Sequence, residues 1–324
     1  MKREALFAPD PRPLSFGVLV MPDTNAFSLA ACVDPMRAAN RRAGQTHFRW
    51  TFLSPQGGPV PLTAGFDVAT RPLTDQPAFD VLMIIAGFRL EEQTTPDLLA
   101  RLRRLAPQVR AMGGVDGGSW FLARAGLLNG RAATTHWEDL ESFAARFPEI
   151  DVRRDRYVIS GPFMTTGGAA PCLDLMLDLI GTRYGAELAL RVAGAFLYEP
   201  VHAGHVPQQA VPAERLGRAD PALGRAVALM EQAIEHPLSI AEIAGLVGLS
   251  RRRLEMLFAE HLGRSPGRFF LDLRLDEARR LATDTRLPLQ EVAMRCGFSS
   301  QMAFARAFRD RFATTASAVR GGRQ

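Results

Sequence analysis

The sequence predicts two domains: a doubly wound α/β domain followed by an all-α domain with two helix-turn-helix motifs. Three observations predict this. Short β-branched runs alternate with helical patterns over residues 14–185. A proline-containing stretch without periodicity follows near residue 200. Beyond it, a 13-residue segment recurs at a constant offset of 49. Alternation of the first kind implies a mostly parallel sheet with helices on both faces. The length, 324 residues, suits two cores of ordinary size. With 47% hydrophobic and 23% charged residues, the composition excludes a disordered, collagenous or coiled-coil chain.

The strands expected in order are residues 16–21, 50–53, 81–86 and 109–115. Between them, residues 28–41 and 97–105 space their apolar side chains for helices. Residues 169–184 close the domain as a helix, and 186–198 continue helical. Pro22 and Asp23 stop the first apolar run, so no segment approaches the roughly 18 residues of a membrane span. Pro9, Pro11 and Pro13 stand where a secretion signal carries its apolar region, and the chain is expected to be cytoplasmic. Cys32, Cys172 and Cys296 are odd in number and far apart, so neither a metal cluster nor a disulfide framework is expected. The expected domains are 14–185, a helix and linker over 186–219, and 220–324.

Of the net charge of +5, residues 220–324 hold +4, from 16 Arg against 12 Asp and Glu. Such a bias suits a nucleic-acid-facing module, although a solvated basic surface has the same signature. The repeat lies in this region. Residues 238–250 align with 287–299, matching Glu242 with Glu291, Ala244 with Ala293, Gly248 with Gly297 and Ser250 with Ser299. One inserted residue later, Leu254 matches Phe304 and Phe258 matches Phe308. Each copy reads as helix, glycine turn, serine cap and second helix, the helix-turn-helix pattern, over about 238–260 and 287–311. A linking helix is expected from Ser265-Pro266 to about Thr283. The second helix of each copy can enter a DNA major groove.

On the first of these helices Arg251, Arg252 and Arg253 occupy the opening turn, with Glu255 close behind. Three positive charges oppose the helix dipole there, so helix stability does not explain them; bidentate contact with guanine or phosphate does. On the second, Ser300, Gln301, Arg306 and Arg309 face outward, with Gln301 suited to adenine and Arg306 to guanine or phosphate. A polar outer face is the alternative for each of them.

Residues 220–317 resemble the DNA-binding domain of AraC/XylS-type transcription regulators. The carrying residues are the paired motifs and the string Gly297-Phe298-Ser299-Ser300-Gln301-Met302-Ala303-Phe304-Ala305-Arg306-Ala307-Phe308. Two departures are present. Met256 stands where many members carry a basic residue, and Phe312-Ala313-Thr314-Thr315-Ala316 stands where the family usually has a Gly and a Pro.

In the first domain, a buried strand, the turn Asp116-Gly117-Gly118 and a helix from Ser119 form a strand–turn–helix elbow. With the segment Ala123 to Trp137, it resembles PfpI-like domains of the class I glutamine-amidotransferase-like superfamily, which implies a flavodoxin-like sheet. In catalytic relatives the elbow residue is Cys; here it is Asp116. A carboxylate is a poor nucleophile, so no catalytic residue is expected. The alternative is a hydrolase or amidase using Asp116 with His136 as base. A pocket for a cationic metabolite is expected around Asp116, Trp120, His136, Trp137 and, at the end of the first strand, Asp23. Helix capping by Asp116 and burial of the tryptophans in the core remain open beside it. The resemblance thus implies a ligand-responsive regulator of promoter DNA that needs no cofactor or metal. It also implies homodimers, action on RNA polymerase and a tilt toward activation, with no membrane partner.

Overall fold

A computed structural model of the chain describes residues 6–198, 202–205, 208, 220–285 and 287–321. The chain divides into two compact units, Met1–Gln208 and Gln209–Gln324.

The strands of the first unit are β1 (Leu14–Val20), β2 (Phe48–Ser54), β3 (Gly58–Pro61), β4 (Asp67–Pro72), β5 (Val81–Ala86) and β6 (Ala111–Asp116), then the short pair β7 (Ala132–Ala133) and β8 (Asp151–Val152), and finally β9 (Tyr157–Ser160) and β10 (Phe163–Thr166). Among the described residues eight of them form one sheet in the order β3-β4-β2-β1-β5-β6-β10-β9. The six strands from β4 to β10 in that order run parallel, while β3 and β9 pair antiparallel at the two edges. The helices are α1 (Ala26–Ala43), α2 (Leu90–Gln93), α3 (Pro96–Leu105), α4 (Gly118–Arg124), α5 (Leu140–Arg146), α6 (Ala169–Tyr184) and α7 (Ala186–Ala195).

Strand alternation sorts the core into two layers. Phe16, Val18 and Val20 of β1, with Val81, Met83 and Ile85 of β5, pack under α1, α6 and α7. Leu19, Leu82 and Ile84 face the other way, with Leu98 and Leu102 of α3 and Phe121 of α4. Both faces are covered, as the near-continuous apolar strands require. From β1 the chain moves to β2 on one side and later to β5 on the other, so the order reverses beside β1. The carboxyl ends of strands at such a reversal are where open α/β sheets gather their sites. Helix α7 packs against α1 and α6 within this unit. The expected linker, within residues 186–219, lies beyond residue 198 largely outside the described residues.

The second unit comprises α8 (Pro221–Gln232), α9 (Ile240–Leu246), α10 (Arg251–Leu262), α11 (Pro266–Asp284), α12 (Leu289–Arg295), α13 (Gln301–Phe312) and α14 (Ala316–Gly321). It has two cores. Leu223, Ile243, Leu254, Phe258 and Phe270 form one; Leu275, Val292, Phe304 and Phe308 form the other. Helix α11 gives its first half to one core and its second half to the other. No helix among the described residues is long and apolar enough to cross a membrane.

The second copy departs from the expected register in one respect. The cap of α13 is Ser300, whose Oγ accepts the Ala303 N–H at 3.1 Å, rather than Ser299. The inserted residue therefore sits in the turn, and α13 starts one residue later than the repeat offset implies. The closing turn of α13 matches that of α10 despite its different residues. Ala313 adopts φ 53° where Gly263 adopts φ 64°, and Thr315 Oγ1 caps α14 through the Ala318 N–H at 3.1 Å.

Candidate nucleic-acid interface and elbow site

In each copy a glycine in the left-handed region turns the chain between its two helices: Gly248 at φ 76° and Gly297 at φ 69°. An ordinary side chain is strained there. A Cβ on Gly297 would also lie 2.4 Å from Pro237 Cγ, so glycine lets the second turn seat against the loop that precedes α9. The caps follow at once. Ser250 Oγ accepts the Arg253 N–H at 3.2 Å, opening α10 as Ser300 opens α13. The buried residues of α10 are Leu254, Leu257 and Phe258, and those of α13 are Phe304 and Phe308. The opposite faces stay exposed: Arg251, Arg252 and Arg253 on α10; Gln301, Arg306 and Arg309 on α13.

Linking helix α11 fixes these two helices through its own polar side chains. Asp272, 6% exposed, lies 3.2 Å from Arg264 Nη1, 3.2 Å from Arg268 Nε and 2.8 Å from Arg311 Nη1. It thus joins the loop after α10 to the far end of α13. Arg274 donates from Nε to the Cys296 carbonyl at 2.8 Å and from Nη2 to the Gly297 carbonyl at 2.6 Å, with its guanidinium 4.5 Å from the Phe298 ring centroid. It satisfies carbonyls that α12 leaves unpaired at its end.

The arginines divide cleanly. Among the described residues of the second unit, Arg225, Arg251, Arg264, Arg268, Arg274, Arg279, Arg280, Arg295, Arg311 and Arg320 each have a hydrogen bond, an ion pair or an aromatic face. Arg252, Arg253, Arg306 and Arg309 have no side-chain partner among the described residues. All four stand on α10 and α13. Two expected contacts are altered by local bonding. Glu255 holds Arg251 at 2.9 Å across one helical turn, and the Ser300 hydroxyl is spent as the α13 cap.

The elbow forms where β6 meets α4. Asp116 sits at φ 59°, a conformation costly for a residue with a side chain. A Cβ on Gly114 would meet the Ser119 nitrogen at 2.5 Å, and one on Gly118 would meet the Ile84 carbonyl oxygen at 2.1 Å. Only glycines let the turn close this tightly. The Asp116 carboxyl accepts hydrogen bonds from Asn25 Nδ2 at 3.0 Å and Ser28 Oγ at 3.2 Å, both at the start of α1. Asn25 also caps α1, accepting the Ser28 N–H at 2.7 Å. Burial pushes the Asp116 carboxyl up to about 6, against the opposing pull of His136, Ser28 and Asn25.

His136 is thus close enough to act on Asp116, with its Nδ1 3.6 Å from Glu138. Trp137 is 43% exposed beside it, ring to ring at 5.8 Å. Trp120 packs instead into the core, edge-on to Phe143 at 5.2 Å and Phe147 at 5.6 Å, because α4 turns that face toward α5. Asp23 is ion-paired with Arg89, and both hold positive φ. Asp116, His136 and Trp137 are therefore gathered at one end of the sheet, whereas Trp120 is partly buried against the core and Asp23 has a cation of its own.

No thiolate replaces the missing elbow cysteine. Cys32 and Cys172 are free and fully buried, and the Cys172 thiol is held high by its hydrogen bond with Cys32 and by burial. Ser119 is likewise fully buried. Among the described residues no group of three or more His, Cys, Asp or Glu is placed to hold a metal ion. Sequence reasoning misses Asn25, Ser28, Asp272 and Arg274. Asn25 alone carries a signal, as a capping residue between a strand and a helix.

Residues 243–322 match the model of a helix-turn-helix domain family. Over 306 residues the chain is 38% identical to the HTH-type transcriptional regulator CdhR of Pseudomonas aeruginosa, covering 93% of this chain and 90% of that one. It is 37% identical over 302 residues to the HTH-type transcriptional regulator GbdR of the same species, covering 93% and 82%. The first unit shares its fold with a THiJ/PfpI family protein from Pseudomonas syringae, at TM-score 0.52 and 20% identity over 74% of this chain and 92% of that one.

Proposed function

The chain belongs to the AraC-type helix-turn-helix transcriptional regulators with a PfpI-like first domain, and on that premise we propose that a small cationic metabolite at the elbow controls its binding to promoter DNA. The single observation that supports the DNA face best is the segregation of unpartnered arginines. Ten of the described arginines in the second unit are bound within the protein, and the four left over lie on α10 and α13. An arginine without an internal partner is available to phosphate or to a guanine edge. Arg252, Arg253, Arg306, Arg309 and Gln301 are the residues assigned to DNA; Arg251, braced by Glu255, is read as a phosphate contact.

At the elbow, Asp116 supplies a partly desolvated carboxylate, and exposed Trp137 supplies an aromatic face near His136. A charged amine, guanidinium or quaternary ammonium group is attracted to both. The domain is read as non-catalytic, since Asp116 is held by two donors and the nearby thiols are buried. The proposal extends to a homodimer in the cytoplasm that contacts RNA polymerase, with the sensor over 14–185, the connection over 186–219 and the DNA-binding part over 220–324.

Duplexes selected from a random library by the full-length protein provide the test. Arg252→Ala and Arg306→Ala should each weaken binding to the selected site about tenfold or more. Unchanged titrations with both variants would remove α10 and α13 as the DNA face. A thermal-shift screen with cationic amino acids, betaines and polyamines tests the sensor. A hit whose affinity survives Asp116→Asn would remove the elbow as its site. Turnover of an amide or ester substrate that is lost in Asp116→Ala would favour the hydrolase reading.

A further inference from the structure

The two helices assigned to DNA can be aligned on their caps rather than on the repeat offset. Ser250 and Ser300 each accept the N–H three residues on, which fixes the phase of both helices. In that phase the fourth residues, Leu254 and Phe304, and the eighth, Phe258 and Phe308, are buried. The second residues are Arg252 and Met302; the sixth are Met256 and Arg306. All four are exposed, and residues four apart share one helix face one turn from each other. Each helix thus presents one arginine and one methionine side by side, in opposite order.

The methionines do not serve folding. Met302 is 83% exposed and Met256 is 51% exposed, and neither belongs to either core of the unit. Leu246 and Met294 of the same unit are exposed as well, but Met256 and Met302 are set one turn from an arginine that has no internal partner, on the face assigned to DNA. In a major groove the one apolar feature on a base edge is the thymine methyl, and the flexible, polarisable thioether of methionine is well suited to pack on it. Arginine beside it donates to guanine O6 and N7.

We propose that Met256 and Met302 are specificity residues that seat on thymine methyl groups, so that α10 reads guanine at its tip and thymine one turn deeper, while α13 reads thymine at its tip and guanine deeper. This rests on the reading that both helices enter the major groove. The two sub-sites of the operator are then related by exchange of the guanine and thymine positions, and a repeated identical sub-site is a poor target.

The test uses the full-length protein and duplexes it enriches from a random library. Each thymine of the enriched site is replaced in turn by deoxyuridine, which lacks only the methyl group. For the wild type, one replacement in each sub-site should weaken binding about threefold to fivefold, the worth of one buried methyl. Met302→Ala should abolish that sensitivity in one sub-site and leave it in the other, and Met256→Ala should do the converse. Both variants should keep the wild-type salt dependence and the preference for guanine, whereas Arg252→Ala and Arg306→Ala should each relax the preference for guanine in one sub-site. If deoxyuridine costs the methionine variants as much as the wild type, or costs nothing anywhere, the assignment is overturned while DNA binding stands. Enrichment of no site at all would overturn the DNA-face reading on which it rests.

Discussion

In the first helix-turn-helix, α9 opens on a capping box: Ser239 Oγ accepts the Glu242 N–H at 3.2 Å, and the Glu242 carboxylate accepts the Ser239 N–H at 2.7 Å. In the second, α12 opens on Pro288, with no side-chain cap. The turn after α9 receives one long bond, from Arg225 to the Val247 carbonyl at 3.4 Å. The turn after α12 receives two short ones from Arg274, which also lies over Phe298. The first copy closes on Gly263, the second on Ala313 in the same left-handed conformation. The copies reach one shape by different means. The first relies on local capping and glycine; the second relies on a side chain sent from α11.

Substitutions can separate the two modes of support. Asp272→Ala should have the widest effect, because it leaves Arg264, Arg268 and Arg311 without their shared anion and loosens both copies together. A loss of about 1–2 kcal/mol in urea unfolding is expected, since Arg264 and Arg268 are half exposed and Arg311 keeps Asp276, with weakened DNA binding; a loss confined to one copy's helix signals would break the picture of α11 as a common brace. Arg274→Ala should cost about 2 kcal/mol and act on the second copy alone, as hydrogen exchange in α12 and α13 would report. Ser239→Ala should cost about 1 kcal/mol, with faster exchange at the first turn of α9 only. Ala313→Gly should raise stability by about 0.5–1 kcal/mol, since glycine takes φ 53° without strain. A decrease would mean that the methyl group has a packing role in the closing turn.

Much of this architecture is legible in the order of the residues. Residues 81–86 and 169–184 coincide with β5 and α6, because continuous burial on both sheet faces and an unbroken helical pattern leave little choice. The outermost strand on the β3 side and its neighbour leave no such trace. β4 alternates exposed and half-exposed residues, so it has no apolar run to find, and β3 has two prolines in four residues. The repeat locates both helix-turn-helix motifs but misplaces the second cap. Ser299 and Ser300 are equally good caps by composition, and only the phase of Phe304 and Phe308 decides between them. At the elbow the turn residues point to Asp116 but cannot supply Asn25 and Ser28, which lie about ninety positions away along the chain. Nearness in sequence draws Trp120 toward the pocket, and the direction of α4 packs it against the core beside α5. Ion-pair partners such as Arg89 for Asp23 depend on loop geometry, on which residue spacing is silent.

With the effector bound at the elbow as proposed, the half-buried acid there would tie sensing to proton balance. Its carboxyl, raised from 3.8 to about 6, holds a proton more firmly in the folded protein than in the unfolded chain. The empty protein should therefore lose stability as pH climbs from about 4 to about 6 and change little above that. A cation that pairs with the ionised form expels whatever proton remains, so acidification and effector compete for one group. Below pH 6 each further unit should raise the effector needed about tenfold, and calorimetry in buffers of unequal ionisation heat should register the expelled proton. On that proposal, a cell turning acid would hear the same effector more faintly.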